Sequence, residues 1–236
     1  MTKFTKRILI LGLALALNFN QSVYGDILKD IIEADNLKED SIVINNETDS
    51  TKKLNNEENI VFKSNEVFLS DISGHWAESR IKEAIKLGFV SGYTDGTFKP
   101  ERTISRAEFA TLLNNAMKIE STVSINLFDV YSSDWYYNQI QKSVAVGFFS
   151  GYEDNTFRPN NPITRQEVAK VINGAITAGN IDGDGATNLR DYNSIQEWAK
   201  SSVNLAYNKN YIMGYPDKTY KPNRSLTRAE AVKIIY

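Results

Sequence analysis

The sequence predicts an all-α protein made of three tandem helix-loop-helix modules, and three observations support this fold class. A five-residue motif occurs three times, at residues 104–108 (ISRAE), 163–167 (ITRQE) and 226–230 (LTRAE). Trp76, Trp135 and Trp198 repeat with the same offsets, 59 and 63 residues. Each tryptophan and each motif is followed by apolar residues at helical spacing. Repeats of this length are typical of supersecondary units that bury their apolar faces against one another.

The segments that precede the repeats differ in composition from the rest of the chain. Residues 1–25 place three basic residues ahead of an apolar run and a short polar stretch, which is typical of a secretory signal peptide. Residues 26–66 are acidic and rich in Asn, so we expect a solvated linker there with at most a short helix. The three modules are then expected at residues 67–124, 125–185 and 186–236.

The first helix of each module is expected to follow the recurrent tryptophan. The next apolar position falls five residues later in every copy, at Ile81, Ile140 and Val203. Twelve residues past the tryptophan the pattern ends, at Gly88, Gly147 and Asn210. Gly and Asn tolerate the left-handed conformation that commonly follows a helix end, so each first helix should stop there.

A loop with a constant pattern joins the two helices of each module. It begins with a short apolar segment that ends in Gly-Tyr, and it continues with a turn whose first residue is Asp. Gly96 and Asn155 suit a positive φ at the second turn position, whereas Lys218 is a weaker choice. An aromatic residue and a basic-Pro pair end the loop, and we expect the aromatic residue in the core. These aromatic residues are Phe98, Phe157 and Tyr220.

The five-residue motif predicts the start of the second helix. In each copy a Ser or Thr precedes a Glu by three positions, which is the signature of a capping box. Between them lies an arginine that capping does not require, namely Arg106, Arg165 or Arg228. Two interpretations are open: the arginine pairs with a neighbouring carboxylate, or it binds an anion beside unpaired N–H groups of the helix N-terminus. The threefold recurrence favours the anion site.

Taken together, these patterns resemble the S-layer homology (SLH) module. The resemblance rests on the tryptophan, the loop Gly-Tyr-x-Asp-Gly-Thr-Phe-x-Pro and the motif Ile-Thr-Arg-Ala-Glu, and it covers about residues 67–236. It implies three modules in a pseudo-threefold bundle that anchors an exported protein non-covalently to the secondary polysaccharide of a Gram-positive-type cell wall. In that family the glycan often carries pyruvate ketals and lies in grooves between adjacent modules.

The resemblance also implies candidate glycan-binding residues. A ketal carboxylate suits the motif arginines, and aromatic faces suit sugar rings, although a tryptophan at a helix start equally suits a core position. An Asp ahead of each tryptophan either binds sugar hydroxyls or holds a loop, and the basic residue before each proline either adds charge to a groove or is solvated. The candidates are Arg106, Arg165, Arg228, Trp76, Trp135, Trp198, Tyr93, Tyr152, Tyr215, Asp71, Asp129, Asp191, Lys99, Arg158 and Lys221.

A separate set of residues imitates a calcium-binding loop. Asn180, Asp182, Asp184, Asn188 and Asp191 follow its ligand spacing, with Gly185 at the centre. The match is imperfect, because Asn replaces the usual first Asp and Asp replaces the usual bidentate Glu at the end. We therefore prefer a Gly- and Asp-rich linker between the second and third modules, and predict no metal.

Composition excludes several classes of protein. The chain has no cysteine, so disulfides and thiol chemistry are excluded. Without the three basic residues of the signal peptide, 24 basic and 29 acidic residues leave a net charge of −5. A weakly acidic exported protein is a poor candidate for binding nucleic acid. No later apolar segment is expected to anchor the chain in a membrane.

The sequence thus predicts a secreted binding protein of the cell wall or S-layer, without cofactor or catalytic residues. Its expected partner is the secondary cell-wall polysaccharide, with other surface-layer proteins as an alternative partner in a lattice. A glycan hydrolase with paired carboxylates is a third class. It is disfavoured because the repeated carboxylates belong to caps and turns, and because the single histidine, His75, has no repeated counterpart.

Overall fold

Six α-helices and two short 3₁₀ helices make up the regular structure of residues 69–176 and 184–236, the part of the chain that this computed structural model describes. These residues belong to one compact unit and contain no strand, so the predicted all-α class is confirmed. The predicted signal peptide (1–25) and linker (26–66) lie outside the described residues. The helices are α1 (Glu78–Lys86), α2 (Arg106–Met117), α3 (Tyr137–Ala145), α4 (Arg165–Ile176), α5 (Glu197–Asn208) and α6 (Arg228–Ile235), with 3₁₀ helices at Gly185–Asn188 and Tyr192–Ser194.

The second helix of each module begins at a capping box, as predicted. The Ser105 hydroxyl accepts a hydrogen bond from the Glu108 N–H (3.2 Å), and the Glu108 carboxylate accepts one from the Ser105 N–H (2.8 Å). The same reciprocal bonds join Thr164 to Glu167 and Thr227 to Glu230. Local sequence therefore fixes where α2, α4 and α6 start.

The ends of the first helices and the turns also follow the prediction. The residues two positions past the last residue of α1, α3 and α5, which are Gly88, Gly147 and Asn210, adopt φ values of 78°, 74° and 58°. At the second turn position Gly96, Asn155 and Lys218 have φ values of 78°, 56° and 60°. Only the start of the third module differs, since Trp198 lies inside α5 rather than ahead of it.

The three motif segments meet at the centre of the molecule in a closed ring of backbone hydrogen bonds. The Ile104 N–H donates to the Leu226 carbonyl (3.0 Å), the Leu226 N–H to the Ile163 carbonyl (3.0 Å), and the Ile163 N–H to the Ile104 carbonyl (3.1 Å). All three side chains are buried. Each module thus contacts both others through the same residue position, and the pseudo-threefold arrangement is confirmed.

Helix packing follows the same cyclic order. The second helix of each module packs against the first helix of the next one: α2 against α3, α4 against α5, and α6 against α1. A buried polar contact crosses the first of these seams, where the Ser143 hydroxyl donates to the Asn114 side-chain oxygen (2.9 Å). In the second seam, at the equivalent positions, the Asn173 side-chain amide donates a hydrogen bond to the Ser202 hydroxyl (3.1 Å). Adjacent modules thus bury their apolar faces against one another.

Within each module an aspartate holds the loop onto the core. The Asp71 carboxylate accepts the backbone N–H groups of Phe98 (2.8 Å) and Lys99 (2.7 Å). Two consecutive N–H groups pointing at one carboxylate form an anion-binding nest, and they keep Lys99 at a φ of 56°. Asp129 and Asp191 make the equivalent bonds in the other modules. The aromatic residue of each nest has no exposed surface, so the predicted core role of Phe98, Phe157 and Tyr220 is confirmed.

Candidate functional site

Each motif arginine extends from its own module into the next one. Nε of Arg106 donates to the Phe157 carbonyl (2.8 Å), Nε of Arg165 to the Tyr220 carbonyl (2.7 Å), and Nε of Arg228 to the Phe98 carbonyl (2.9 Å). The arginine side chains are only 5%, 5% and 8% exposed. They therefore link module 1 to module 2, module 2 to module 3, and module 3 back to module 1.

The backbone N–H groups beside these arginines are not free. The Arg106 N–H donates to the Asn161 carbonyl (2.9 Å), and the Ala107 N–H donates to the Pro159 carbonyl (3.0 Å). The third N–H of α2 belongs to Glu108 and is taken by the capping box. Helices α4 and α6 repeat this pattern with carbonyls of modules 3 and 1. The expectation of unpaired N–H groups at these N-termini is therefore wrong, because the neighbouring module supplies their acceptors.

Aromatic rings surround each guanidinium. Cζ of Arg228 lies 4.8 Å from the Tyr93 ring centroid and 4.5 Å from that of Phe98. The corresponding distances are 4.7 Å and 4.9 Å for Arg106, and 4.8 Å and 4.8 Å for Arg165. Burial lowers the pKa of Arg106 and of Arg228, but a guanidinium stays charged in proteins. Each tyrosine of the Gly-Tyr pair therefore carries a fixed cation on its ring.

A second cation contacts the same tyrosine from within its own module. Nζ of Lys99 lies 4.4 Å from the Tyr93 centroid, Cζ of Arg158 lies 4.0 Å from that of Tyr152, and Nζ of Lys221 lies 4.3 Å from that of Tyr215. Each of these exposed cations is also ion-paired with the turn aspartate four residues earlier, at 3.0, 2.9 and 3.4 Å. The tyrosines and both sets of basic candidates are thus brought together at each seam.

The turn aspartates are held by their own loops. Hydrogen bonds from Thr97 and Lys99 lower the pKa of Asp95 to about 2, and bonds from Thr156 and Arg158 lower the pKa of Asp154 to about 2. The pKa of Asp217 is lowered for the same reasons. These carboxylates are ionised at neutral pH and accept hydrogen bonds within their own turns.

Grooves run along the seams between modules. Groove 1 has a volume of about 240 Å³ and is lined by residues 88–91, α2, Arg228 and Trp135. Groove 2 has a volume of about 1120 Å³ and is lined by residues 147–154, α4, Arg106 and Trp198. The residues at the equivalent positions of the third seam are here called groove 3: Arg165 contacts Tyr215, and Nζ of Lys233 lies 5.7 Å from the Trp76 ring. Groove 2 thus combines Arg106 of module 1, Tyr152 and α4 of module 2, and Trp198 of module 3. Groove 1 combines Arg228 of module 3, α2 of module 1 and Trp135 of module 2, and Tyr93 contacts this arginine.

The tryptophans lie on the rims of these grooves. Trp76, Trp135 and Trp198 are 56%, 62% and 50% exposed, which excludes the core role that their position at a helix start also suggested. The nest aspartates Asp71, Asp129 and Asp191 behave differently, because both oxygens of each carboxylate accept loop N–H groups. Of the two roles open for them, holding the loops is the one that the geometry supports.

The sequence reasoning missed two groove positions. Arg102 and Arg224 pair with the capping-box glutamates Glu108 and Glu230, while Asn161 takes the equivalent place in module 2. Five residues after each motif arginine, α2, α4 and α6 carry Thr111, Lys170 and Lys233. Thr111 and Lys170 line grooves 1 and 2, and Lys233 contacts Trp76. Aligning the repeats at these non-identical positions would have revealed both sets.

The calcium-loop residues do not form a cluster where they are described. Asn180 and Asp182 lie outside the described residues, and the Asp191 carboxylate is occupied by the Tyr220 and Lys221 N–H groups (2.7 Å each). Among residues 69–176 and 184–236, no group of three His, Cys, Asp or Glu side chains is placed to hold a metal ion.

Comparison with known proteins identifies the family of these modules. The model of the S-layer homology domain matches residues 69–110, 129–169 and 188–232. The chain belongs to the S-layer homology family. Its SLH triplet is 34% identical over 163 residues to the surface-layer 125 kDa protein of Lysinibacillus sphaericus, 35% over 158 residues to the cellulosome-anchoring protein of Acetivibrio thermocellus, and 34% over 174 residues to exoglucanase XynX of the same organism.

These matches cover most of this chain but little of the relatives. They span 67%, 62% and 72% of the chain, against 14%, 34% and 16% of the surface-layer protein, the cellulosome-anchoring protein and the exoglucanase. The part that these longer proteins share with this chain is the SLH triplet. In the part of the chain that is described, no helix has the length and apolar character needed to cross a membrane.

Proposed function

We propose that this SLH triplet anchors an exported protein at the bacterial surface by binding an anionic, pyruvylated wall polysaccharide in its inter-module grooves. The observation that carries the proposal is that a fixed guanidinium, a tyrosine and an exposed tryptophan from three different modules line groove 2, and that the equivalent arginine and tryptophan line groove 1. Relatives named as surface-layer and cellulosome-anchoring proteins support a role at the cell surface.

The chemistry of the grooves suits a sugar acid. Residues of the described part take two of the five donors of Arg165, at the carbonyls of Tyr220 and Met213 (2.7 Å each), so the guanidinium keeps donors for a carboxylate. Lysines on the helix wall, such as Lys170 and Lys233, add charge, and the tryptophan on the rim offers an apolar face to a sugar ring. A pyruvate ketal presents such a carboxylate on a sugar.

Three grooves on one compact unit also suit a polymeric ligand. Once one groove holds the chain, the other grooves bind it at high effective concentration, so sites that are weak singly give tight anchoring together. We infer binding without catalysis, because the repeated carboxylates already serve as nests, turns and helix caps.

The test is co-sedimentation of the secreted chain with purified cell-wall sacculi, before and after chemical removal of the ketals. Trp76→Ala, Trp135→Ala and Trp198→Ala probe the grooves one at a time, because exposed residues can be replaced with little cost in stability. Phe128→Ala is the matched control, since this 65% exposed aromatic residue does not line groove 1 or groove 2.

We expect each tryptophan variant to lower the affinity for sacculi, by roughly tenfold for a contact worth about 1.4 kcal/mol, while Phe128→Ala has no effect. Removal of the ketals should release the wild-type chain. Undiminished binding to ketal-free walls would show that the anionic part of the proposal is wrong. Assembly of the chain with itself or with surface-layer proteins but not with sacculi would instead favour a lattice contact, and soluble glycan fragments would reveal a hydrolase.

A further inference from the structure

Besides the position of Thr111, Lys170 and Lys233, the modules carry different side chains at one turn position beside the grooves. Residues 102, 161 and 224 occupy the same turn in their modules, because the N–H of each donates to the carbonyl three residues earlier at 3.1 Å. The carbonyl of each also accepts the N–H of a motif arginine, from Arg228, Arg106 and Arg165 in turn. The side chains differ, since modules 1 and 3 have Arg there and module 2 has Asn.

This difference changes the partner of the capping-box glutamate. Arg102 pairs with Glu108 in module 1, and Nη1 of Arg224 lies 2.7 Å from the Glu230 carboxylate in module 3. Module 2 has no arginine at position 161, and Glu167 there pairs with Arg106 (3.1 Å) and accepts a hydrogen bond from the Tyr152 hydroxyl. In module 2 the capping-box glutamate therefore pairs with the motif arginine of its own groove.

In grooves 1 and 3 the described residues that accept hydrogen bonds from the motif arginines are neutral carbonyls. Their terminal nitrogens donate to carbonyls, Arg228 to Ser91 (3.0 Å) and Arg165 to Met213 (2.7 Å). Within the described residues neither forms an ion pair. A carbonyl carries no net charge, so both guanidinia retain a full positive charge for a ligand.

The charge balance of the grooves follows from these pairs. Groove 2 is lined by three cations (Arg106, Arg158 and Lys170) and three carboxylates (Glu153, Asp154 and Glu167). Groove 1 is lined by one cation, Arg228, and one carboxylate, Glu108. Glu108 is already paired with Arg102, which lies outside that lining, so Arg228 is in excess once this pair is counted. In groove 3 the partner of Glu230 is Arg224, which leaves Arg165 and Lys233 in excess.

We propose that Asn161 makes groove 2 the charge-compensated groove of the triplet, so that grooves 1 and 3 bind the anionic sugar while groove 2 binds a neutral sugar unit of the same glycan. This inference rests on the proposed function. The volume of groove 2, about 1120 Å³ against about 240 Å³ for groove 1, also suits a longer, uncharged stretch of polymer. Asn161 acts as a positioning residue, since it works through the partner that Glu167 takes.

The chain offers a separate fluorescent reporter for each groove. It has three tryptophans, and Trp76, Trp135 and Trp198 lie at grooves 3, 1 and 2. Replacing two of them with Phe leaves one reporter whose own groove is unchanged. Each reporter is titrated with a methyl glycoside bearing a 4,6-pyruvate ketal and with its 4,6-isopropylidene analogue, in which a methyl group replaces the carboxylate. The ratio of the two dissociation constants measures the selectivity of that groove for the anion.

In the wild-type background we expect the Trp135 and Trp76 reporters to prefer the ketal acid by roughly tenfold, as for one charged hydrogen-bonded contact, and the Trp198 reporter to show no preference. Asn161→Arg should release Arg106 from Glu167 and give the Trp198 reporter a preference of similar size. Arg102→Asn should abolish the preference at Trp135. Asn161→Gln, which adds no charge, is the matched control.

The affinity for the neutral analogue should stay constant in these variants. A merely structural effect would instead change the affinities for both glycosides together. Circular dichroism and thermal melting confirm that each variant is folded. The inference is overturned if Asn161→Arg gives the same ratio as Asn161→Gln, or if the wild-type Trp198 reporter prefers the ketal acid as the other two do. If no groove binds either glycoside, the proposed function itself fails, and the inference falls with it.

Discussion

Replacing Arg165 with Ala should lower the free energy of unfolding by about 3 kcal/mol, because two charged hydrogen bonds are each worth about 1.5–3 kcal/mol. Arg165 is 5% exposed as a residue, and its guanidinium donates at 2.7 Å to the carbonyls of Tyr220 and Met213 and lies 4.8 Å from the Tyr215 ring. All three partners belong to module 3, so the change removes a tertiary link between two modules. Since 1 kcal/mol shifts the Tm of a domain of this size by about 2–4 °C, Tm should fall by roughly 6–12 °C.

The assay is urea unfolding of the secreted chain, followed by far-UV circular dichroism. Arg165→Lys should lie between wild type and Arg165→Ala, because an ammonium keeps the charge but loses the planar fork and the stacking. Arg190→Ala is the matched control, since Arg190 is exposed and is linked by its backbone N–H to the Lys218 carbonyl (2.8 Å), and it should stay within about 0.5 kcal/mol.

An Arg165→Ala variant as stable as Arg190→Ala would refute the reasoning, because the guanidinium would then not hold the modules together. The same result would favour an arginine kept free for the ligand. A large loss of stability has a practical consequence for binding studies. Loss of glycan binding in Arg→Ala variants would then be ambiguous, whereas the exposed tryptophans test the grooves without weakening the seams.

Three further predictions concern single positions. Gly151→Ala should lower the free energy of unfolding by about 1–3 kcal/mol, as overpacking does, because its Cβ would lie 2.6 Å from Cδ2 of Leu127 and 3.2 Å from the Thr156 carbonyl oxygen. In urea unfolding, the double variant with Leu127→Ala should lose less stability than the sum of the two single changes. Full additivity would contradict the contact. Lys218→Gly should stabilise the fold by roughly 0.5–1 kcal/mol, since a φ of 60° strains an L-residue. The control Lys209→Gly, at a φ of −87°, should destabilise the fold. Equal effects of the two changes on Tm would refute the strain at Lys218. The pKa of Asp154 is depressed to about 2 from 3.8, so its contribution to stability is complete above pH 3.8 and is lost as the pH falls towards 2. Stability measured against pH should therefore fall over this window, less steeply in Asp154→Asn, and an unchanged slope in that variant would exclude the assigned role.

Much of the fold was predictable because its signals are local in sequence. The capping boxes join residues three apart, such as Thr227 and Glu230, and the turns require only that Gly96 or Asn155 accept a positive φ. The helix ends at Gly88 and Gly147 depend on the same backbone preference. Interactions of this range are set by a few neighbouring residues, so one sequence is sufficient to place them.

The site was predictable in composition but not in geometry. The recurrence of Arg106, Arg165 and Arg228 indicated a role beyond capping, yet nothing local showed that each side chain is buried in the next module. Pairing with a carboxylate and binding an anion were weighed as alternatives, and among the described residues the structure shows carboxylate pairing for Arg106, while anion binding stays a prediction. Arg106 is paired with Glu167, whereas Arg228 donates to carbonyls of residues 91 and 98.

The sequence by itself determined the repeat, the helix starts, the turns and the residue types that could meet an anionic glycan. Only the tertiary structure decided which of them meet, because ring closure brings Arg228 to the Phe98 carbonyl across 130 residues of chain. It placed the tryptophans on the groove rims rather than in the core, and it turned Glu167 towards Arg106 where Asn161 replaces an arginine. Such choices depend on the packing of three modules around a common centre, and no local preference specifies them.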